Sequence, residues 1–267
     1  MTATALCRLL LGLLLISWTG PARAQALGPG EVLELTAAGA IEFDRARGLV
    51  TATEAVRARL GATVVTADRM EATVRFAEGG TTQFTDLVAL GRVRVTFAEG
   101  TMAADRLDYD LAGALLTATR LDAARPPVIL QSAEWTLRAG SRVQLWRGER
   151  RAVAEGGVDL DRPGEQLRAA TLTVSFTDGD GIGVIRRAKA DGGVRYAAGT
   201  MNVSADRGDY DGGAQIIDLF GTVRVVEGDT ALAGDRARLD LASGNASLVS
   251  DGGRVRALVP PNVSLSE

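Results

Sequence analysis

Apolar and polar residues alternate one for one along most of this chain. Val93 and Val95 stand among Arg92, Arg94 and Thr96, Val223 and Val225 beside Thr222 and Arg224, and Val56 and Ala58 beside Arg57 and Arg59. A period of two sends successive side chains to opposite faces of a β-strand, here one apolar and one wet. A turn is expected after each run, at Gly61, Gly100, Gly199 and Gly228, where left-handed backbone costs least. The next run holds its parity through Met102 and Ala104, then moves to Leu107, Tyr109 and Leu111 just past Asp105-Arg106. The same shift takes Val65 and Ala67 to Met70, Ala72 and Val74, and Leu232 to Ala237, Leu239 and Leu241. A regular strand cannot change phase, so a bulge or corner is predicted at each Asp-Arg. No comparable stretch has a helical stripe.

The corners recur. Asp68-Arg69, Asp105-Arg106, Asp206-Arg207 and Asp235-Arg236 are each preceded, fourteen positions back, by a similar start: Glu54-Ala55-Val56-Arg57, Gly91-Arg92-Val93-Arg94, Gly192-Gly193-Val194-Arg195 and Gly221-Thr222-Val223-Arg224. A weaker copy begins at Gly156-Gly157-Val158, with Ala170 in the place of the Asp. Starts near 54, 91, 156, 192 and 221 leave 121–155 without a clear copy, though Ser132-Ala133-Glu134-Trp135 is the place for a degraded one. Repeated corners fold strands around an interior, as in a jelly roll or solenoid. The expected fold is all-β, an elongated stack of short antiparallel strands, with 25–267 as a single domain.

The N-terminus has another composition. Arg8, the apolar run Leu9–Ile16, the breaker Gly20-Pro21 and Ala22-Arg23-Ala24 have the order of a secretory signal cleaved after Ala24, and the run is too short to span a bilayer. The lone cysteine, Cys7, lies within that segment, so no disulfide framework is expected. The chain has no histidine, which removes imidazole catalysis and His-containing metal sites. With Lys189 as the single lysine and no cluster of carboxylates outside the repeats, neither an enzyme nor a cofactor is expected. The formal charge of −3 argues against nucleic acid as a partner.

The pattern Thr53–Ala58, a turn, then Val64–Arg69 resembles the OstA-like repeat of periplasmic lipopolysaccharide-transport proteins, the LptA/OstA-like family. Asp251–Pro260 resembles the last strand of its bridge member. The resemblance implies an open β-jellyroll with an apolar groove that shields the acyl chains of lipopolysaccharide. It implies periplasmic location and sheet-edge pairing with the inner-membrane export complex and the outer-membrane translocon, with head-to-tail homo-oligomers as a further form. The groove residues it singles out are Val56, Val65, Val93, Val95 and Met102, then Val194, Val203, Val223, Val225 and Leu232. By pattern alone these side chains would equally make a filled sandwich core; the resemblance favours a groove. Two other readings stay open: an exported β-repeat scaffold with no lipid cavity, and a secreted β-helical enzyme that cleaves polysaccharide.

Asp68, Asp105, Asp206 and Asp235 read as structural corner residues, since short acidic side chains satisfy backbone donors in turns. The pairs Asp108/Asp110 and Asp209/Asp211 share a strand face and form at most a weak cation site. Asp178-Gly179 reads as a hairpin turn, not a calcium loop. The outward arginines Arg57, Arg92, Arg94, Arg195 and Arg224 suit lipid phosphates but read as the wet face of strands.

Overall fold

A computed structural model describes residues 34–76, 82–97, 100–176, 185–243, 245–250 and 255–258. The signal segment and the Asp178-Gly179 turn lie outside the described residues, as do 251–254 and 259–260 of the last-strand segment. Every regular element among the described residues is a strand. Among the described residues the chain packs as two compact units, 34–158 and 159–258, each built of antiparallel strands.

The first unit holds β1 (Glu34–Thr36), β2 (Ile41–Asp44), β3 (Leu49–Leu60), β4 (Thr63–Phe76), β5 (Thr82–Phe97) and β6 (Gly100–Asp110), then β7 (Leu115–Thr119), β8 (Val128–Gln131), β9 (Thr136–Ala139), β10 (Arg142–Trp146) and the start of β11 (Arg151–Arg162). The second holds the rest of β11, β12 (Glu165–Phe176), β13 (Ile185–Ala198), β14 (Met201–Asp211), β15 (Ile216–Glu227), β16 (Thr230–Asp240), β17 (Ala246–Val249) and β18 (Arg256–Leu258). The strands are long, up to 16 residues in β5, because the chain rounds its corners without leaving the hydrogen-bonded ladder.

Five pairs of consecutive residues take left-handed backbone: Glu54-Ala55 (φ 68° and 47°), Gly91-Arg92 (74° and 47°), Gly156-Gly157 (88° and 87°), Gly192-Gly193 (83° and 70°) and Gly221-Thr222 (71° and 46°). They fall on the starts of the five repeats. Thr53 pairs with Arg69 and Val56 with Ala67, so Glu54-Ala55 stands across from Asp68 alone. In the same way Gly91-Arg92 faces Asp105, Gly192-Gly193 faces Asp206, and Gly221-Thr222 faces Asp235. Two residues against one make a bulge, which bends the strand and sharpens its twist. The left-handed backbone therefore belongs to the repeat start and stands opposite the Asp-Arg, where the side chains change phase.

The segment 121–155 follows the same plan with a broken strand. β7 pairs with β10 and β8 with β9, while β6 pairs with both β7 and β8. Loop 120–127 thus takes the place of a two-residue corner. Among the turns expected at glycine, Gly61, Gly199 and Gly228 are left-handed (φ 54° to 55°). Gly100 instead opens β6, where a Cβ would lie 2.0 Å from the Gln131 carbonyl oxygen. Its glycine serves close backbone approach, not a turn.

Candidate functional site

Cross-strand register converts the period of two into continuous apolar ladders. In the first unit Ala58, Val65, Val95, Met102, Leu130 and Leu137 are successive partners from β3 to β9. In the second, Leu167, Tyr196, Val203, Val225, Leu232 and Ala257 run from β12 to β18. Nine of the ten residues singled out from sequence are buried, and Leu232 is partly buried against the same cluster. Those beside the corners are the most enclosed: Val56 and Val223 at 1%, Val93 at 2% and Val194 at 4% exposure. The ten divide evenly, with Val56, Val65, Val93, Val95 and Met102 in the first unit and the rest in the second.

Past each corner a second apolar wing follows, which the sequence reading left out of the groove. Ala52, Met70, Ala89, Leu107, Ala118 and Val143 form one ladder of it, and Leu172, Ala190, Gly208, Leu219, Ala237 and Leu248 its counterpart in the second unit. Leu219, Ala237 and Leu239 pack in one cluster with Val203, Val223 and Val225. The two wings of this unit therefore meet on their apolar sides. Many of the buried positions are alanine or valine, and Tyr196 is the one aromatic among the buried core residues described. The signal for the second wing was the phase shift itself, which returns Leu107, Leu239 and Leu241 to the interior.

The corner aspartates each find a different partner. Asp68 accepts from the Arg92 guanidinium in the next corner, at 2.6 Å, and that contact holds its carboxyl below the usual range. Asp105 is buried, accepts the Leu121 N–H at 2.9 Å and pairs with Arg125 at 3.1 Å, which ties down loop 120–127. Asp235 accepts from the Ser250 hydroxyl at 2.6 Å. Asp206 lies against the next corner, where a Cβ on Gly221 would come within 2.1 Å of its Oδ2.

The paired acids on β6 and β14 do not converge on a cation. Asp108 binds Arg106 at 2.5 Å, and Asp209 pairs with Arg207 at 3.2 Å, whose guanidinium also covers the Phe220 ring at 4.2 Å. Asp110 and Asp211 cap hairpins through backbone N–H groups of Gly113, and of Gly213 and Ala214. Asp44 and Asp240 do the same. These N–H groups are the main reason that the Asp211 and Asp240 carboxyls are held below their usual range. Among the described residues no cluster of three or more acids, cysteines or histidines forms. Chemically, the arrangement offers apolar burial inside and charge outside.

Comparison with known proteins adds one family and one structure. Residues 140–245 match the family described as LptA/(LptD N-terminal domain) LPS transport protein. That segment contains the repeats at 156, 192 and 221, whereas Thr53–Arg69 and Asp251–Pro260, the stretches that carry the resemblance, lie outside it. Among solved structures, the chain is similar to LptH from Pseudomonas aeruginosa, described as the LptA homologous periplasmic component of the conserved lipopolysaccharide transport device. The identity is 14% and the TM-score 0.40, over 48% of this chain and 95% of that one. No curated protein matches the chain.

Proposed function

We propose that this protein carries lipopolysaccharide through the periplasm, sheathing acyl chains between the apolar wings of its strands and linking inner-membrane and outer-membrane export components through its sheet edges. The observation that carries the proposal is the ladder Leu167–Tyr196–Val203–Val225–Leu232, which lies within the segment that matches the transport family. Its side chains rest on the opposite wing and not on a dense aromatic core.

Insertion of a fatty chain exchanges one apolar contact for another on the protein side, so the protein loses little by parting its wings. The lipid gains about 0.8 kcal/mol for each CH₂ removed from water. The driving force is thus the ligand's own desolvation. Small side chains suit it, because a trough of valine and alanine takes an acyl chain without a fixed shape to match.

Neighbouring residues on β15 give the test. A photoreactive benzophenone side chain in place of Val225, which faces inward, is expected to crosslink to lipopolysaccharide. The same group in place of Arg224, which faces outward, is not. Equal yields from the two positions, or none from Val225 in protein that retains its thermal transition, would overturn the sheathing of acyl chains.

A further inference from the structure

On the wet side of the second unit the register brings three arginines together, two of them without partners among the described residues. Arg168 stands directly across from Arg195, Arg195 across from Ser204, and Ser204 across from Arg224. Arg168 binds Asp159 at 2.7 Å, whereas Arg195 and Arg224 are exposed and have no hydrogen bond or ion pair among the described residues. Like charges directly opposite each other on a sheet are destabilising. The chain as a whole is acidic, at −3, so this row is no general excess of positive charge.

The row borders a concavity of about 450 Å³, with Gln166, Asn202 and Ser204 adding neutral polar groups beside the three arginines and no carboxylate in its lining. Strand spacing of about 4.8 Å places the Arg195 and Arg224 backbones roughly 10 Å apart with Ser204 between them. Two guanidinium groups can then close from either side on one anion above the Ser204 hydroxyl. A carboxylate would occupy a single fork. A tetrahedral, doubly charged phosphoryl group has three terminal oxygens, so two forks can each take a pair that shares one oxygen, and the hydroxyl can donate to a remaining lone pair.

We infer that this face is a binding site for a phosphoryl group, held by Arg195 and Arg224 with Ser204 between them and Arg168 at its margin. Tyr196 and Val203 also line the concavity, but Arg195 and Ser204 alternate with them along β13 and β14, so substitutions at the arginines test this site separately from the acyl-chain proposal. A phosphoryl group reaches such a face on a soluble phosphorylated compound or as the headgroup of a membrane lipid.

Titration with inorganic phosphate, followed by NMR of the arginine side-chain N–H groups and the Ser204 amide, tests the site. Saturable shifts are expected at Arg195, Arg224 and Ser204. The pair Arg195→Gln with Arg224→Gln should weaken binding by roughly tenfold or more, because charge-assisted forked contacts are lost. A control pair, Arg59→Gln with Arg75→Gln, removes the same charge from scattered exposed positions and should leave the affinity unchanged. Absence of saturable shifts, an unchanged affinity in the first pair, or an equal loss in the control would overturn the site. Sedimentation with vesicles then assigns the source. Binding to phosphatidic acid but not phosphatidylcholine vesicles, competed by inorganic phosphate, supports a headgroup; phosphate binding without vesicle binding supports a soluble ligand. Vesicle binding that survives Arg195→Gln with Arg224→Gln would also count against the assignment.

Discussion

Glu165, at the start of β12, has an Oε2 that is buried and accepts no hydrogen bond, 3.9 Å from the Arg162 guanidinium. Loss of water raises its carboxyl above the usual range, and the Arg162 charge opposes that rise. Burial likewise raises the phenol of Tyr196, with the Glu165 charge adding to the effect. For Glu165 the folded state holds the proton more tightly than the unfolded state does. Its contribution is therefore fully present below the unfolded carboxyl range and is lost as pH rises through the folded value. Glu165→Gln keeps the shape without the charge, and Arg162 retains a further interaction. The substitution is expected to raise stability at neutral pH by about 1 kcal/mol, the order of cost of an unsatisfied buried group, and to flatten the decline between mildly acidic and neutral pH. Thermal unfolding across that range checks it, and a variant less stable than the parent at neutral pH would contradict the account. Asp211 and Asp240 act with opposite sign: with their carboxyls held low, they stabilise above the unfolded carboxyl range and lose that contribution as pH falls through their folded values. None of this was legible in the sequence, where Glu165 is one acid among many. Its environment exists only once β12 and β13 are paired.

The corner is the element on which the fold turns, and its energetics separate its two residues. Gly221 at φ 71° would set a Cβ 2.1 Å from Asp206 Oδ2, so Gly221→Ala must both strain its backbone and displace the carboxylate. A loss of about 1–3 kcal/mol is expected. Thr222, next in the chain, holds a β-branched side chain at φ 46°. Thr222→Gly relieves that strain and should stabilise by about 1 kcal/mol, despite the added freedom of the unfolded chain. Chemical denaturation of the two variants measures both signs, and destabilisation by Thr222→Gly would show that the hydroxyl or methyl makes a compensating contact. The spacing of fourteen residues made these corners legible, and the phase shift after Asp-Arg was read as a bend. Which strand bends was not, because alternation along one strand reports a break but not which partner carries the extra residue. Gly192-Gly193 advertises left-handed backbone, whereas Glu54-Ala55 does not. The second wing escaped for a related reason: Leu107 and Leu219 join the valines only through the bend.

At the scale of the whole molecule, composition already set aside imidazole and thiol chemistry, and periodicity gave strands throughout. The division into two units was not legible, since the repeats continue across 158/159 with the same kind of start on either side. What the paired strands add, among the described residues, is an edge in each unit, and the two edges are dissimilar. β1 and β2 pair on one side with β3, and β2 exposes Ile41 at 50%. β17 and β18 pair on one side with β16, and Leu258 of β18 is 70% exposed. Edge strands with apolar side chains are templates for another sheet, and joining unlike edges produces chains of subunits, not closed dimers. Ile41→Lys spoils one end and Leu258→Lys the other, so each variant alone should fail to grow with concentration in sedimentation velocity. Mixed together they retain one intact junction, between the β17–β18 end of the first variant and the β2 end of the second. The mixture is therefore expected to yield a species of two subunits and nothing longer. Joining through like edges predicts another outcome: one of the two variants would associate by itself, and the mixture would form no junction absent from its components.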